Sequence, residues 1–99
     1  MREILMRVSV SELCEQEGIE QQTLVELVDY GIAAPLAGLE PAEWVFDTTN
    51  VFWLKKAVRL KRDLEIDWLA VSMVIELQRR NEQLERQLEH YRQQVERLL

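Results

Sequence analysis

Cysteine, histidine, glycine and proline are all scarce in this chain of 99 residues, with one, one, three and two copies respectively. The lone Cys14 has no partner for an internal disulfide. Together with His90 it is too small a set of soft ligands for a metal site, which needs several converging side chains. A Cys–His nucleophilic pair would require these two residues to meet from different elements. No glycine-rich phosphate loop occurs either, so nothing reads as an enzyme and no cofactor is expected. Cys14 is expected as a small buried hydrophobe and His90 as a surface group. Charges interrupt every apolar stretch well short of the roughly 18 residues of a membrane span. Met1 to Leu5 lack the apolar core of a secretion signal. The expected location is therefore the cytoplasm, with no membrane role.

With so little glycine and proline, and with 47% hydrophobic and 30% charged residues, the chain is too apolar and too helix-friendly for a disordered acidic tail. Its length allows one domain. A domain this small buries a limited share of its surface, so a second copy or a partner is expected to contribute to its stability.

Positive charge is also missing where it would matter. Residues 1–47 hold only Arg2 and Arg7 against ten acids, a local charge of −8, while residues 48–99 hold ten bases and eight acids, or +2. The chain as a whole carries −6. A partner recognised electrostatically by the first half should be basic.

What is present is a succession of helix signals. Ser9-Val10-Ser11-Glu12 fits a capping box opening a short helix to about Glu17, with Leu13 and Cys14 facing inward and Gly18 closing it. Ile19 is an apolar peg in the turn. A second helix from about Gln21 to Tyr30 carries Leu24, Leu27 and Val28 at helical spacing and stops at Gly31. Two short helices joined by a tight turn make a helix-turn-helix. Ile32 to Phe46 contains both prolines and reads as a loose hairpin, or wing.

Asp47 is the next expected N-cap, for a helix to about Leu64 with Trp53, Leu54, Ala57, Val58, Leu60 and Leu64 as its apolar stripe. Lys55, Lys56, Arg59, Lys61 and Arg62 form a basic cluster, read as a solvated face partly paired with Asp63, Glu65 and Asp67. Phe52 lies beside it and is expected in the core. Trp44, Trp53 and Trp68 are expected to seal the core, with Trp68 the one placed for a partner contact.

Asp67 caps a last helix that runs to the chain end. In it Leu77, Leu84, Tyr91 and Leu98 take the d positions of a heptad, and Val74, Asn81, Leu88 and Val95 the a positions. Asn81 at an a position sets register and strand number. The flanking residues from Arg79 to Glu96 alternate in sign as a solvated face does. Residues 1–69 are thus expected as a winged helix-turn-helix and 70–99 as its coiled-coil extension. The seam Leu77, Asn81, Leu84, Leu88, Tyr91, Val95 and Leu98 has few partners within one short chain, which predicts a homodimer.

The order helix-turn-helix, wing, helix, long helix resembles the MerR-like regulators. The strings Val10-Ser11-Glu12-Leu13-Cys14, Gly18-Ile19, Leu24-Val25-Glu26-Leu27-Val28, Trp44-Val45-Phe46-Asp47 and Ala57-Val58-Arg59-Leu60 through Asp67-Trp68 resemble the bacterial CbpM family of chaperone modulators. The fold class this implies is mainly α, a MerR-like winged helix-turn-helix with a small β wing and a long C-terminal helix. The resemblance also implies a function, binding of the J domain of the co-chaperone CbpA. That binding restrains CbpA from stimulating its Hsp70 partner DnaK and from binding DNA. A J domain presents a basic surface to Hsp70, and the −8 of residues 1–47 has the sign to cover it.

The contact residues expected from the exposed face are Glu20, Glu26 and Asp29, then Glu12 and Glu15, with Trp68; the long helix is the competing surface. Direct DNA binding by the helix-turn-helix is not expected, because its second helix carries no Lys or Arg and its carboxylates would face phosphates. The alternative reading is a MerR-like transcriptional regulator that binds DNA as a dimer through the cluster Lys55 to Arg62. A third is a structural adaptor whose seam pairs with another coiled coil.

Overall fold

Two short strands tie the start of the chain to its middle, and each runs straight into a helix cap. The computed structural model describes residues 6–99; Met1 to Leu5, which carry the secretion-signal expectation, lie outside the described residues. Strand β1 (Arg7–Ser9) pairs antiparallel with β2 (Val45–Asp47), setting Arg7 opposite Asp47, Val8 opposite Phe46 and Ser9 opposite Val45. Helix α1 (Val10–Glu17) begins where β1 ends. The Ser9 hydroxyl accepts from the Glu12 N–H and donates to the Glu12 carboxylate, both at 3.2 Å, so the cap closes side chain to side chain. Gly18 ends the helix at φ 67°, with its N–H donating to the Leu13 carbonyl, as a left-handed terminator does.

Ile19 is buried beside this turn, and helix α2 (Gln21–Asp29) follows with Leu24 and Leu27 fully buried on one face. Cys14 is half-buried against the core rather than inside it, because Val10 and Leu13 occupy the inward positions of α1.

The wing departs from the expected hairpin. Leu36 N–H donates to the Val45 carbonyl at 2.7 Å and Val45 N–H donates to the Ala37 carbonyl at 3.0 Å, which makes a single bridge and no ladder. Pro35 removes a donor from the outgoing segment beside that bridge, and Pro41–Glu43 coils into a 3₁₀ turn. The strand that β2 does find is β1, three residues long and too short to show a period in the sequence. Phe46 is buried from β2, while Trp44 beside it is half-buried, its ring 6.2 Å from Phe46 in an edge contact.

Helix α3 (Thr48–Leu64) starts at Asp47, whose carboxylate accepts from both the backbone N–H (2.8 Å) and the side-chain Nδ2 (2.9 Å) of Asn50. These bonds to the ionised form hold the Asp47 pKa below its ordinary value. Asn50 Oδ1 in turn accepts from the Ala34 N–H at 2.9 Å, which fastens the loop after α2 to the start of α3. Trp53, Leu54 and Ala57 are buried, whereas Leu64, expected in the stripe, is exposed in the last turn. Phe52, expected in the core, is 52% exposed. One position from Trp53 is about 100° around a helix, enough to carry it off the buried stripe.

Glu65 takes the left-handed conformation at φ 52° to end α3, and Asp67 caps α4 (Trp68–Leu98) by accepting from the Ala70 N–H at 2.8 Å. With so short a turn, α4 folds back against α3. The residues that bury are Val71 and Ile75. Ile75 lies about 100° around the helix from Val74, the first of the expected a positions.

Arg79 corrects a further expectation. Assigned by its sign pattern to a solvated flank, it is instead half-buried, and its guanidinium donates to the Gly31 carbonyl at 3.3 Å and to the Ile32 carbonyl. It also lies 4.8 Å from the Trp53 ring centroid. Burial lowers its pKa below the ordinary arginine value. A cation at the carbonyl end of α2 neutralises the free carbonyls and the negative end of the helix dipole.

Candidate partner-binding surfaces

The acids expected at a partner contact are distributed over the two helices of the helix-turn-helix. Glu12 and Glu15 are exposed on α1; Glu20 is the N-cap residue of α2 and Asp29 its last residue. Glu20 makes no side-chain cap bond, so its carboxylate is free of local duty. Glu20 and Asp29 stand about 14 Å apart by helical rise, and both are exposed. Glu26 is only half-buried rather than open, because it follows Val25 around the edge of the packed face. Among the described residues, none of these five carboxylates is engaged in a salt bridge; the acid that does pair across elements is Glu17, with Lys55 Nζ at 3.4 Å. Unpaired carboxylates gathered on two adjacent helices keep their full attraction for a basic partner.

Trp68 sits apart from this face. It is half-buried at the start of α4 and lines an open groove of about 600 Å³ with Val58, Ile66 and Lys61. Lys61 Nζ lies 5.0 Å from its ring centroid and donates to the Ile66 carbonyl at 3.4 Å. Thr23 of α2 reaches the rim of the same groove, so Trp68 borders the acidic helix pair without joining the carboxylates.

The proposed seam residues stand on the outer side of α4. Leu77, Leu84, Leu88, Tyr91, Val95 and Leu98 are each more than half exposed, and Asn81 is exposed as well, with Nδ2 donating to Glu85 at 3.3 Å. Leu77 and Leu84 project roughly opposite Val71 and Ile75 around the helix, so the chain's own body cannot cover them. Met73 extends the same line at 59% exposure. His90 lies beside the line, 3.2 Å from Gln94.

In the basic cluster of α3, Lys55, Arg59 and Arg62 are exposed as expected, whereas Lys56 and Lys61 are half-buried, Lys56 over Phe52 and Trp53 and Lys61 against Trp68. Besides Lys55 with Glu17, only Arg62 pairs, with its neighbour Asp63 at 3.2 Å; the ion pairs expected with Glu65 and Asp67 do not form among the described residues. Exposure of Phe52 on this face was legible in principle, because residues 52, 55, 59 and 62 share one helical side and the other three are Lys55, Arg59 and Arg62. Asn50 also had a signal, since it stands three residues after the N-cap, where a side chain can reach back. Arg79 had none.

No His, Cys, Asp and Glu side chains gather into a metal-binding group among the described residues, and no described helix is long and apolar enough to cross a membrane.

Comparison with known proteins agrees with this architecture. The family profile described as MerR HTH family regulatory protein matches residues 8–93, from β1 into the last turns of α4. A chaperone modulatory protein CbpM of Pseudomonas entomophila is 33% identical over 81 residues, covering 82% of this chain and 79% of that protein. The protein of the same name from Pseudomonas putida strain GB-1 is 27% identical over 92 residues, covering 93% of this chain and 90% of its relative. One from Escherichia coli O1:K1 is 29% identical over 77 residues, covering 78% and 75%. With the winged helix-turn-helix, the acidic α2 and α4 as far as residue 93 within the matched span, the chain belongs to the CbpM chaperone modulators of the MerR-type helix-turn-helix family.

Proposed function

We propose that this protein binds the J domain of a CbpA-type co-chaperone through the acidic face of α1 and α2, and so inhibits both the stimulation of DnaK and the binding of DNA by that co-chaperone. The observation that carries the reading is the set Glu12, Glu15, Glu20, Glu26 and Asp29, unpaired among the described residues on a helix-turn-helix whose α2 has no Lys or Arg. A DNA reader needs cations there. A cover for a basic protein surface needs what is present. The mechanism is occlusion: carboxylates steer the encounter and raise the association rate, while apolar neighbours such as Trp68 lengthen the lifetime of the complex.

The unit that acts is a homodimer in the cytoplasm, with residues 1–69 as the recognition body and 70–99 as the extension that pairs through Leu77, Asn81, Leu84, Leu88, Tyr91, Val95 and Leu98. A line of exposed apolar side chains along one side of a helix supports that pairing. The test is a steady-state assay of DnaK ATP hydrolysis stimulated by the full-length J protein. Added modulator should return the rate to that of DnaK alone, with no effect on unstimulated DnaK. A stimulated rate that stays constant at saturating modulator contradicts the proposal.

A further inference from the structure

A second surface of opposite sign lies on α3. Thr48, Val51, Phe52, Lys55, Lys56 and Arg59 line an open hollow of about 360 Å³. Its floor is apolar: Phe52 is 52% exposed and Val51 is partly buried against the core. Its rim is cationic. Lys56 Nζ lies 5.6 Å from the centroids of both Phe52 and Trp53, and Phe52 stands edge-on to Trp53 at 5.0 Å, so the aromatic floor is held in place by its neighbours. Such a site lies in a chain of net charge −6, on a stretch from Lys55 to Arg62 that contains no acid.

We propose that this hollow is a docking site for an acidic peptide segment of a partner protein, one carrying a bulky apolar side chain between carboxylates. The apolar side chain covers Phe52 and Val51, removing exposed aromatic surface from water, and the flanking carboxylates meet Lys56 and Arg59. Lys55 contributes less, because Glu17 already holds it at 3.4 Å. The apolar floor of Phe52 and Val51 disfavours a nucleic acid as occupant, because a phosphate backbone leaves that floor unused. The site shares no residue with the acidic face of α1 and α2, so it stands whether or not that face binds a J domain.

The test uses the full-length protein, isotopically labelled, and a synthetic peptide in which glutamates flank one phenylalanine. Controls are the same peptide with lysines in place of glutamates and a mixed-sequence DNA duplex. The acidic peptide should shift the amide signals of Val51, Phe52, Lys56 and Arg59, and the lysine peptide should not. Phe52→Ala, and separately Lys56→Glu with Arg59→Glu, should weaken binding about 10-fold or more, which corresponds to roughly 1.4 kcal/mol. Phe52 and Arg59 are exposed and Lys56 is only half-buried, so the fold, checked by circular dichroism, should persist. Shifts confined to other surfaces, affinity unchanged in both variants, no shift at any peptide concentration, or displacement of the peptide by the duplex each overturn the proposal.

Discussion

Asp47 performs two tasks that its ionised form serves best: it caps α3 through the Asn50 N–H, and it holds the Asn50 side chain that anchors Ala34. Asp47→Ala should cost about 1 kcal/mol for the lost cap. Because its folded-state pKa is lowered, its contribution is present above the ordinary carboxylate range and fades as pH falls through the depressed value. Urea melts of the two proteins should therefore differ at neutral pH and converge in acid; a constant difference across that range contradicts the assignment. Gly38 is a second single-residue constraint. Its φ is 108°, and a Cβ there would stand 2.5 Å from the Glu43 carbonyl oxygen and 2.8 Å from the Trp44 nitrogen. Gly38→Ala should lower stability by at least about 1 kcal/mol, seen as an earlier thermal midpoint, and an unchanged midpoint would mean that the loop relaxes freely.

At the same scale lies the clearest case of what a linear reading misses. Ser9, Asp47 and Asp67 declare themselves as caps because a cap is decided within four residues. Arg79 bonds carbonyls 47 and 48 positions away, and its sequence neighbours Arg80 and Glu82 suggest an ordinary solvated helix face. Arg79→Lys should not rescue Arg79→Ala, since a single ammonium lacks the planar fork that spans both carbonyls and lies over Trp53. Chemical denaturation should place both variants about 1–3 kcal/mol below the parent, and a fully stable lysine variant would refute the clamp.

Elements divide by whether they answer to one demand or two. α2 has a single buried face, and Leu24, Leu27 and Val28 were legible from spacing alone. α4 has two apolar lines on opposite sides, Val71 with Ile75 against the body and Leu77 through Leu98 outward, and the longer outer line dominates the pattern. The inner contact was hidden for that reason, and β1 was hidden because three residues cannot display a period. The two lines predict two different failures. Ile75→Ala should cost about 2–4 kcal/mol of folding stability. Leu84→Glu with Leu88→Glu should leave the fold intact and, by analytical ultracentrifugation, convert a dimer to a monomer. A variant that sediments as the parent does would remove the seam from the account.

At the scale of the whole molecule, the charges are sorted by element. The acidic first half is the half that would have to face phosphates in a DNA-binding member of this fold, and α3 carries most of the exposed cations of the body. On the function proposed above, a winged helix-turn-helix whose reading helix is acidic serves as a scaffold turned from nucleic acid towards basic protein.

The most direct test of that claim is a binding titration between the full-length protein and the J domain of a CbpA-type co-chaperone, run at several salt concentrations and repeated with Glu20→Gln, Glu26→Gln and Asp29→Asn combined. The account predicts saturable binding that weakens as salt rises, and a loss of about 10-fold on removing the three charges. Binding of unchanged strength in the triple variant, or no binding to the J domain at low salt, would contradict it.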